Sequence, residues 1–231
     1  MTNDLDLLHF RDPAFAYDGI VAIGGSLNTT NLLRAYRRGI FPWPVDEYVL
    51  PWCCPEKRAI LEFKDLHVPR RLMRVRRRTT FRYTIDEAFE TVIVCCAEVV
   101  RRSETGTWIT PQMIDAYCEL HRKGHAHSVE VWEGNTLVGG LYGVDAGGAF
   151  SGESMFCYRS NASKLALLYL IEHLQAKGLD WIDIQMLTPH MQALGAKEID
   201  RSEFLKKLSL AQGRKIALFN VARTQLQADS S

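Results

Sequence analysis

The chain has 231 residues, 47% of them apolar and 10% aromatic, enough to bury a sizeable core; this excludes a disordered tail and fits one large domain or two unequal ones. With 28 Lys and Arg against 27 Asp and Glu, the formal charge is +1, so a polyanion would have to be met by a local patch rather than by a global field. The mixed, acidic start MTNDLDLLHFRDP lacks the order of a signal peptide, and no stretch reaches the roughly 18 apolar residues of a membrane span, so a soluble cytoplasmic protein without membrane contact is expected.

The first 60 residues contain the Gly24-Gly25 turn and a helix from Asn28 or Thr29 that buries Leu32, Leu33 and Tyr36 and stops at Gly39. Arg34, Arg37 and Arg38 are predicted to face outward. The Pro-rich loops Gly39–Pro44 and Pro51–Pro55 follow, and this block is predicted to be a small, loop-rich domain covering 1–60. Residues 61–231 form the second domain, with the last dozen or so expected to be loose.

The most basic segment is Arg70, Arg71, Arg74, Arg76, Arg77, Arg78 and Arg82, opened by Pro69 at a helix N1 position. A solvated helix face is the plain reading; arginines so dense and so little offset by acids favour contact with phosphates. Asp86 is predicted to cap a helix with Phe89, Val92, Ile93, Cys96, Val99 and Val100 at helical spacing. Thr110-Pro111 opens another, with Met113, Ile114, Tyr117 and Leu120, ended by Gly124.

From His127 to Phe156 the period changes to two, with turns at Glu133-Gly134-Asn135 and Asp145–Gly148, which predicts an antiparallel meander. A helix from Ser163 to Ala176, a strand from Trp181 to Met186, a short helix opened by Thr188-Pro189 and a last helix with the capping box Asp200–Glu203 complete the chain. The fold class read from this order is α+β. The six cysteines include two adjacent pairs and no C-x-x-C, so they are read as structural thiols, and His125 with His127 lacks partners at metal-ligand spacing.

Two places have residues that a core does not need. Glu153 sits between small residues in Ser151–Phe156, after an apolar strand and before a helix. In Trp181–Gln185, strand alternation puts Asp183 and Gln185 on one face and Ile182 and Ile184 on the other. Asp183 alone reads equally as a buried acid pinning a loop; together with Glu153 it points to a cleft where an amine is bound or deprotonated.

The segments GGSL, AYRRGIFPW, TWITPQMIDAYCELHRKGHAHSVEVW, LVGGLYGV, GESMF, NASKLALL, IDIQ and TPHMQALGAKEI, ordered from about residue 18 to about residue 208, resemble the leucyl/phenylalanyl-tRNA-protein transferase family. The resemblance implies a small N-terminal domain joined to a C-terminal acetyltransferase-like (GNAT-like) domain, with a mostly antiparallel sheet flanked by helices. It implies transfer of Leu, Phe or Met from aminoacyl-tRNA to the N-terminal amine of proteins beginning with Arg or Lys, marking them for degradation, without metal or nucleotide cofactor; a monomer is expected.

The resemblance also implies roles. Asp183 and Gln185 match the positions assigned to amine activation, the carboxylate polarising the amide, and Glu153 matches an acid that holds either the amino group of the bound amino acid or the incoming amine. Leu141, Met155, Leu167, Leu170, Leu174 and Ile182 would line the side-chain pocket. Trp43 and Trp108, supported by Tyr117, would grip the 3′ adenosine, and Arg70, Arg74, Arg77 and Arg78 would meet tRNA phosphates. Ser26, Pro44 and the segment Pro51–Arg58 depart from the family's usual GGDL, FPWF and WWSPDPR. Two other readings are an acetyl-CoA N-acetyltransferase, for which Gln192–Lys197 would be the pyrophosphate loop, and a non-catalytic RNA-binding protein.

Overall fold

In the first block, the Asn28 side chain accepts the amide of Asn31 and starts helix α1 (Thr29–Arg37), and Gly39, at φ +75°, ends it by donating to Tyr36. The computed structural model describes residues 7–45, 49–99 and 108–219 and is α+β. Leu32, Ala35 and Tyr36 form the buried face of α1. Arg34 and Arg38 are not free on the outside: they donate to the carbonyls of Leu8, Phe10 and Arg11 and tie down the preceding chain.

This block also holds strands that the sequence did not announce. A three-stranded antiparallel sheet of β1 (Ile20–Ile23), β2 (Phe41–Pro42) and β3 (Pro51–Cys53) runs in the order β1-β3-β2. Strands of two to four residues, β2 and β3 with a proline each, have too little alternation to be seen as strands. Trp52 fills the centre of this unit, fully buried, its indole donating to Gly24 O at 2.9 Å.

The larger sheet has seven strands in the order β10-β4-β9-β8-β7-β6-β5, namely β4 (Lys57–Glu62), β5 (Arg82–Ile85), β6 (Ala126–Glu133), β7 (Thr136–Asp145), β8 (Phe150–Cys157), β9 (Trp181–Gln185) and β10 (Lys197–Asp200). Strands β6, β7 and β8 are the expected meander; Gly134 turns at φ +60° and the Asp145 carboxylate accepts from the amides of Gly147 and Gly148. All neighbours are antiparallel except β8 and β9, joined by the crossover helix α5 (Ala162–Ala176).

Helices cover both faces of this sheet. A side chain at Gly139 would run into Ala162 of α5, and one at its neighbour Gly140 would approach Val92 of α3 (Phe89–Glu98), so α5 and α3 lie on opposite faces. Helix α4 (Pro111–Arg122) packs beside α3, which explains why β6 and β7 are buried along nearly their whole length.

Gly143 permits a close approach of β7 and β8 at the register shift that leaves Glu153 opposite no residue of β7. A Cβ there would lie 2.3 Å from Ser151 O and 2.6 Å from the Phe150 ring. Gly143→Ala is therefore expected to lower unfolding stability by about 2–3 kcal/mol, measured as a fall in the urea midpoint. An unchanged midpoint would mean that β8 moves aside freely.

Three helix starts differ from expectation. Pro69 is the N-cap of α2 (Arg70–Arg78) rather than its first residue, a shift of one position. Asp86 does not cap α3: at φ +63° its carboxylate takes Ser128 N at 2.9 Å and His127 Nδ1 at 2.7 Å, and the amides of Glu87 and Ala88 lie 3.4 Å from the buried Glu130 carboxylate instead. Asp200 precedes α7 (Arg201–Gly213) without a side-chain cap, because Lys57 engages it at 2.6 Å.

None of the six cysteines is in a disulfide, and among the described residues no three His, Cys, Asp or Glu are grouped to hold a metal. No described helix is long and apolar enough to cross a membrane. Val100, Arg101, Arg102 and the expected loose residues 220–231 lie outside the described residues.

Candidate active site

Strands β8 and β9 share one register pair, Ser151 with Asp183. Glu153 is thus inside β8 rather than beyond a strand end, and Gln185 is the last residue of β9. Where backbone pairing stops, side chains take over: the Gln185 amide Nε2 donates to Glu153 Oε1 at 2.6 Å. Gln185 has φ +56°, a left-handed conformation that is uncommon for a residue with a Cβ.

Asp183 holds that turn. Its residue is 2% exposed and its carboxylate accepts four hydrogen bonds: Arg58 Nε and Gln185 N on Oδ1 at 2.7 and 3.0 Å, and Arg58 Nη2 and Ser151 Oγ on Oδ2 at 2.7 and 2.6 Å. A carboxylate has about four acceptor sites, so all are used. Asp183 reaches Gln185 through its main-chain N–H; the side-chain amide goes to Glu153.

Glu153 is the acid with capacity to change. It is half-buried, Tyr117 Oη donates to Oε2 at 3.4 Å, and the Tyr36 and Tyr117 hydroxyls are hydrogen-bonded to each other beside it. Burial pushes its carboxyl up to about 8; the Tyr36 hydroxyl opposes this, the Asp183 charge adds to it, and Arg58 and Tyr117 oppose it. Burial, and then the Glu153 charge, hold both tyrosine hydroxyls well above the ordinary phenol range.

A cavity of about 470 Å³ opens beside Glu153. Of the six apolar residues expected there, Leu141, Met155, Leu167, Leu170 and Ile182 line it; Leu174 does not, being a fully buried core residue further along α5. The wall is completed by residues the sequence did not single out, chiefly Tyr142, Ile184, Met186 and, on α6 (Pro189–Gln192), His190 and Met191. Three methionines in one wall give an adaptable surface.

Trp43 and Trp108 stack on each other, centroids 5.5 Å apart and planes within 15°, and border a cleft of about 80 Å³ that Gln185 also lines and that shares Glu153, Ile184 and Met186 with the larger cavity. Tyr117 does not extend this platform: it is fully buried, and its hydroxyl points to Tyr36 and Glu153. On α2, Arg70, Arg71, Arg74, Arg77 and Arg78 are exposed and make no ion pair with a described acid, whereas Arg76 is held by Glu172. The segment Gln192–Lys197 runs from the end of α6 into β10 and opens no helix, so it lacks the geometry of a pyrophosphate loop.

Sequence reasoning missed Arg58, which is 1% exposed. Its local signal was an arginine set directly before the apolar run Ala59-Ile60-Leu61.

The family model described as leucyl/phenylalanyl-tRNA protein transferase matches residues 60–209, and that for the N-terminal domain of the same transferase matches residues 25–56. Proteins named leucyl/phenylalanyl-tRNA–protein transferase are similar along most of their length. That of Anaeromyxobacter sp. (strain K) is 50% identical over 203 residues, 87% of each chain. That of Pseudoalteromonas atlantica is 48% identical over 88% of each chain. That of Edwardsiella ictaluri is 48% identical over 94% of this chain and 90% of its own.

Proposed function

The chain belongs to the leucyl/phenylalanyl-tRNA protein transferase family, and from that premise we propose that it transfers Leu, Phe or Met from aminoacyl-tRNA to the N-terminal α-amine of proteins beginning with Arg or Lys, marking them for degradation. The observation that carries the assignment to these residues is the placement of Glu153: an acid with its carboxyl at about 8, between an apolar cavity and a tryptophan stack.

The aminoacyl ester is already activated, so the enzyme has to place an amine and move protons. The side chain of the amino acid enters the methionine-rich cavity, and the 3′ adenosine lies against the outer face of the Trp43–Trp108 stack. The acceptor's α-ammonium, with a pKa of ~8, meets Glu153 and gives it a proton at matched affinity. The freed nitrogen lone pair forms the C–N bond at the ester carbonyl. Collapse breaks the bond to the ribose 3′-oxygen, which leaves with a proton as the hydroxyl, and the nitrogen sheds its second proton to become the amide.

In this scheme Asp183 acts by holding Gln185, and the Gln185 amide orients Glu153 and the amine. Of the two amines open to Glu153 from the sequence, the incoming one is favoured by the match of proton affinities. The larger unit is read as acetyltransferase-like, supported by one parallel pair in an otherwise antiparallel sheet, crossed by α5, with the cavity where that pair ends. A division near residue 60 is supported by the two family matches. Use of charged tRNA favours a cytoplasmic protein, and a monomer is expected by light scattering.

Labelled Leu-, Phe- and Met-tRNA mixed with peptides beginning in Arg or Lys test this reading. Product is expected with at least one; none with any of the three would end it. For the basic helix, Arg74→Ala and Arg77→Ala are each expected to weaken tRNA binding several-fold and to reduce the slope of log affinity against log salt by about 1. An unchanged slope would return α2 to a solvated face.

A further inference from the structure

Arg58 stands outside the scheme above, yet its guanidinium is the most enclosed charge beside it. It lies between the rings of Phe41 and Phe204, 4.6 and 4.5 Å from their centroids, and forks onto both oxygens of Asp183. Its Nη1 is buried without a hydrogen-bond partner. Such an arrangement is a poor way to gain stability, because a buried ion pair at best roughly offsets its desolvation and an unsatisfied N–H adds a further cost. What it provides is geometry. A forked pair fixes the carboxylate plane, and the Ser151 hydroxyl and the Gln185 main-chain N–H fix the remaining acceptor positions.

Phe41 in turn meets Trp43 edge-on at 6.3 Å, and Trp43 stacks on Trp108. The cation is therefore in contact with Asp183 on one hand and, through Phe41, with the tryptophan platform on the other, and that platform shares a cleft with Gln185 and Glu153. We propose that Arg58 is a positioning residue for transfer: by clamping Asp183 it holds Gln185 in its left-handed turn, and so sets the Gln185 amide and Glu153 against the attacking amine. This deepens the transferase reading and rests on it.

The test uses the full chain with aminoacyl-tRNA and a peptide beginning in Arg or Lys; product from the unchanged protein is required first, and its absence is the failure of the transferase reading alone. Arg58→Lys keeps the charge and loses the fork. It is expected to lower kcat by ~10²-fold while the KM for aminoacyl-tRNA stays within about threefold, the signature of misplacement rather than lost binding. Ser151→Ala, which removes a different ligand from the same carboxylate, is expected to lower kcat by roughly 5- to 10-fold with the same split.

In Arg58→Ala, millimolar guanidinium is expected to restore part of the lost kcat. Lys57→Ala, the exposed neighbour on β4, should stay within about twofold. The proposal is overturned if Arg58→Lys keeps its kcat within about twofold, or if its whole loss is in KM. A merely structural role would lower the fraction folded and leave the kcat of the folded fraction unchanged, which also overturns it. Guanidinium that rescues nothing in a folded Arg58→Ala protein counts against it equally.

Discussion

Glu153→Gln is expected to lower transfer by ~10³-fold and, at the same time, to make the protein more stable above neutral pH. Both halves come from one property. With its carboxyl at about 8 against 4.5 for the ordinary group, Glu153 in the folded protein keeps a proton that the unfolded chain has already released. Between these two values the folded state binds more protons than the unfolded state, so stability falls as pH rises through that window and stays low above it. Glutamine is nearly the shape of the protonated acid, can accept from Gln185 as Glu153 does, and never ionises.

The stability lost above about pH 8 is therefore expected to return, by about 2–3 kcal/mol once the residue's partial exposure is allowed for, with little change near pH 4. Melting curves at these two pH values measure it. In the unchanged protein, kcat/KM for the peptide should climb through pH 7 and level off near 8, where Glu153 and the acceptor amine both lose their protons. An active Glu153→Gln protein would remove Glu153 from proton transfer. An inactive one without the gain in stability at high pH would mean that the carboxyl titrates at an ordinary value.

The parts of the fold that declared themselves in the sequence are those with repeated local signals. The meander from β6 to β8 alternates over many residues, and α1, α5 and α6 start and stop on Asn28, Gly178 and Thr188 or their neighbours. Strands β4, β5 and β10 were invisible for the opposite reason. Each is four to six residues long, and what makes it a strand is a partner far away in sequence, such as Ile199 of β10 opposite Arg58 of β4. The misplaced caps have the same origin: Asp86 and Asp200 are good capping residues that His127 with Ser128, and Lys57, take for tertiary contacts.

The site was legible in its residues but not in their wiring. Alternation put Asp183 and Gln185 on one face, and that much follows from a strand. It did not reveal Arg58, 125 residues away in the chain, which together with Ser151 and the main chain at Gln185 uses every acceptor position on Asp183. Nor did helical spacing tell that Tyr117 ends beside Glu153 rather than beneath the tryptophans, since both positions belong to a core-facing side of α4.

This wiring makes Gln185 the position at which chemistry and folding separate most cleanly. Gln185→Gly deletes the amide that reaches Glu153 but keeps the main-chain N–H that Asp183 accepts, and glycine adopts φ +56° without a Cβ penalty. The release of backbone strain, worth on the order of 1 kcal/mol, is partly cancelled by the greater freedom of glycine in the unfolded chain, so stability should change by less than about 1 kcal/mol. Transfer should nevertheless fall by ~10²- to 10³-fold in kcat, because Glu153 loses the donor that orients it, while aminoacyl-tRNA, which the proposed scheme binds through the cavity, the tryptophans and α2, should keep its KM. Gln185→Ala carries the same loss of amide with the strained φ retained, and should be the less stable of the two at equal activity. Steady-state kinetics and urea midpoints on the pair separate the contributions: a kcat that follows stability from Gly to Ala would make the residue a structural turn, and a kcat equally low in both would place its work in the amide.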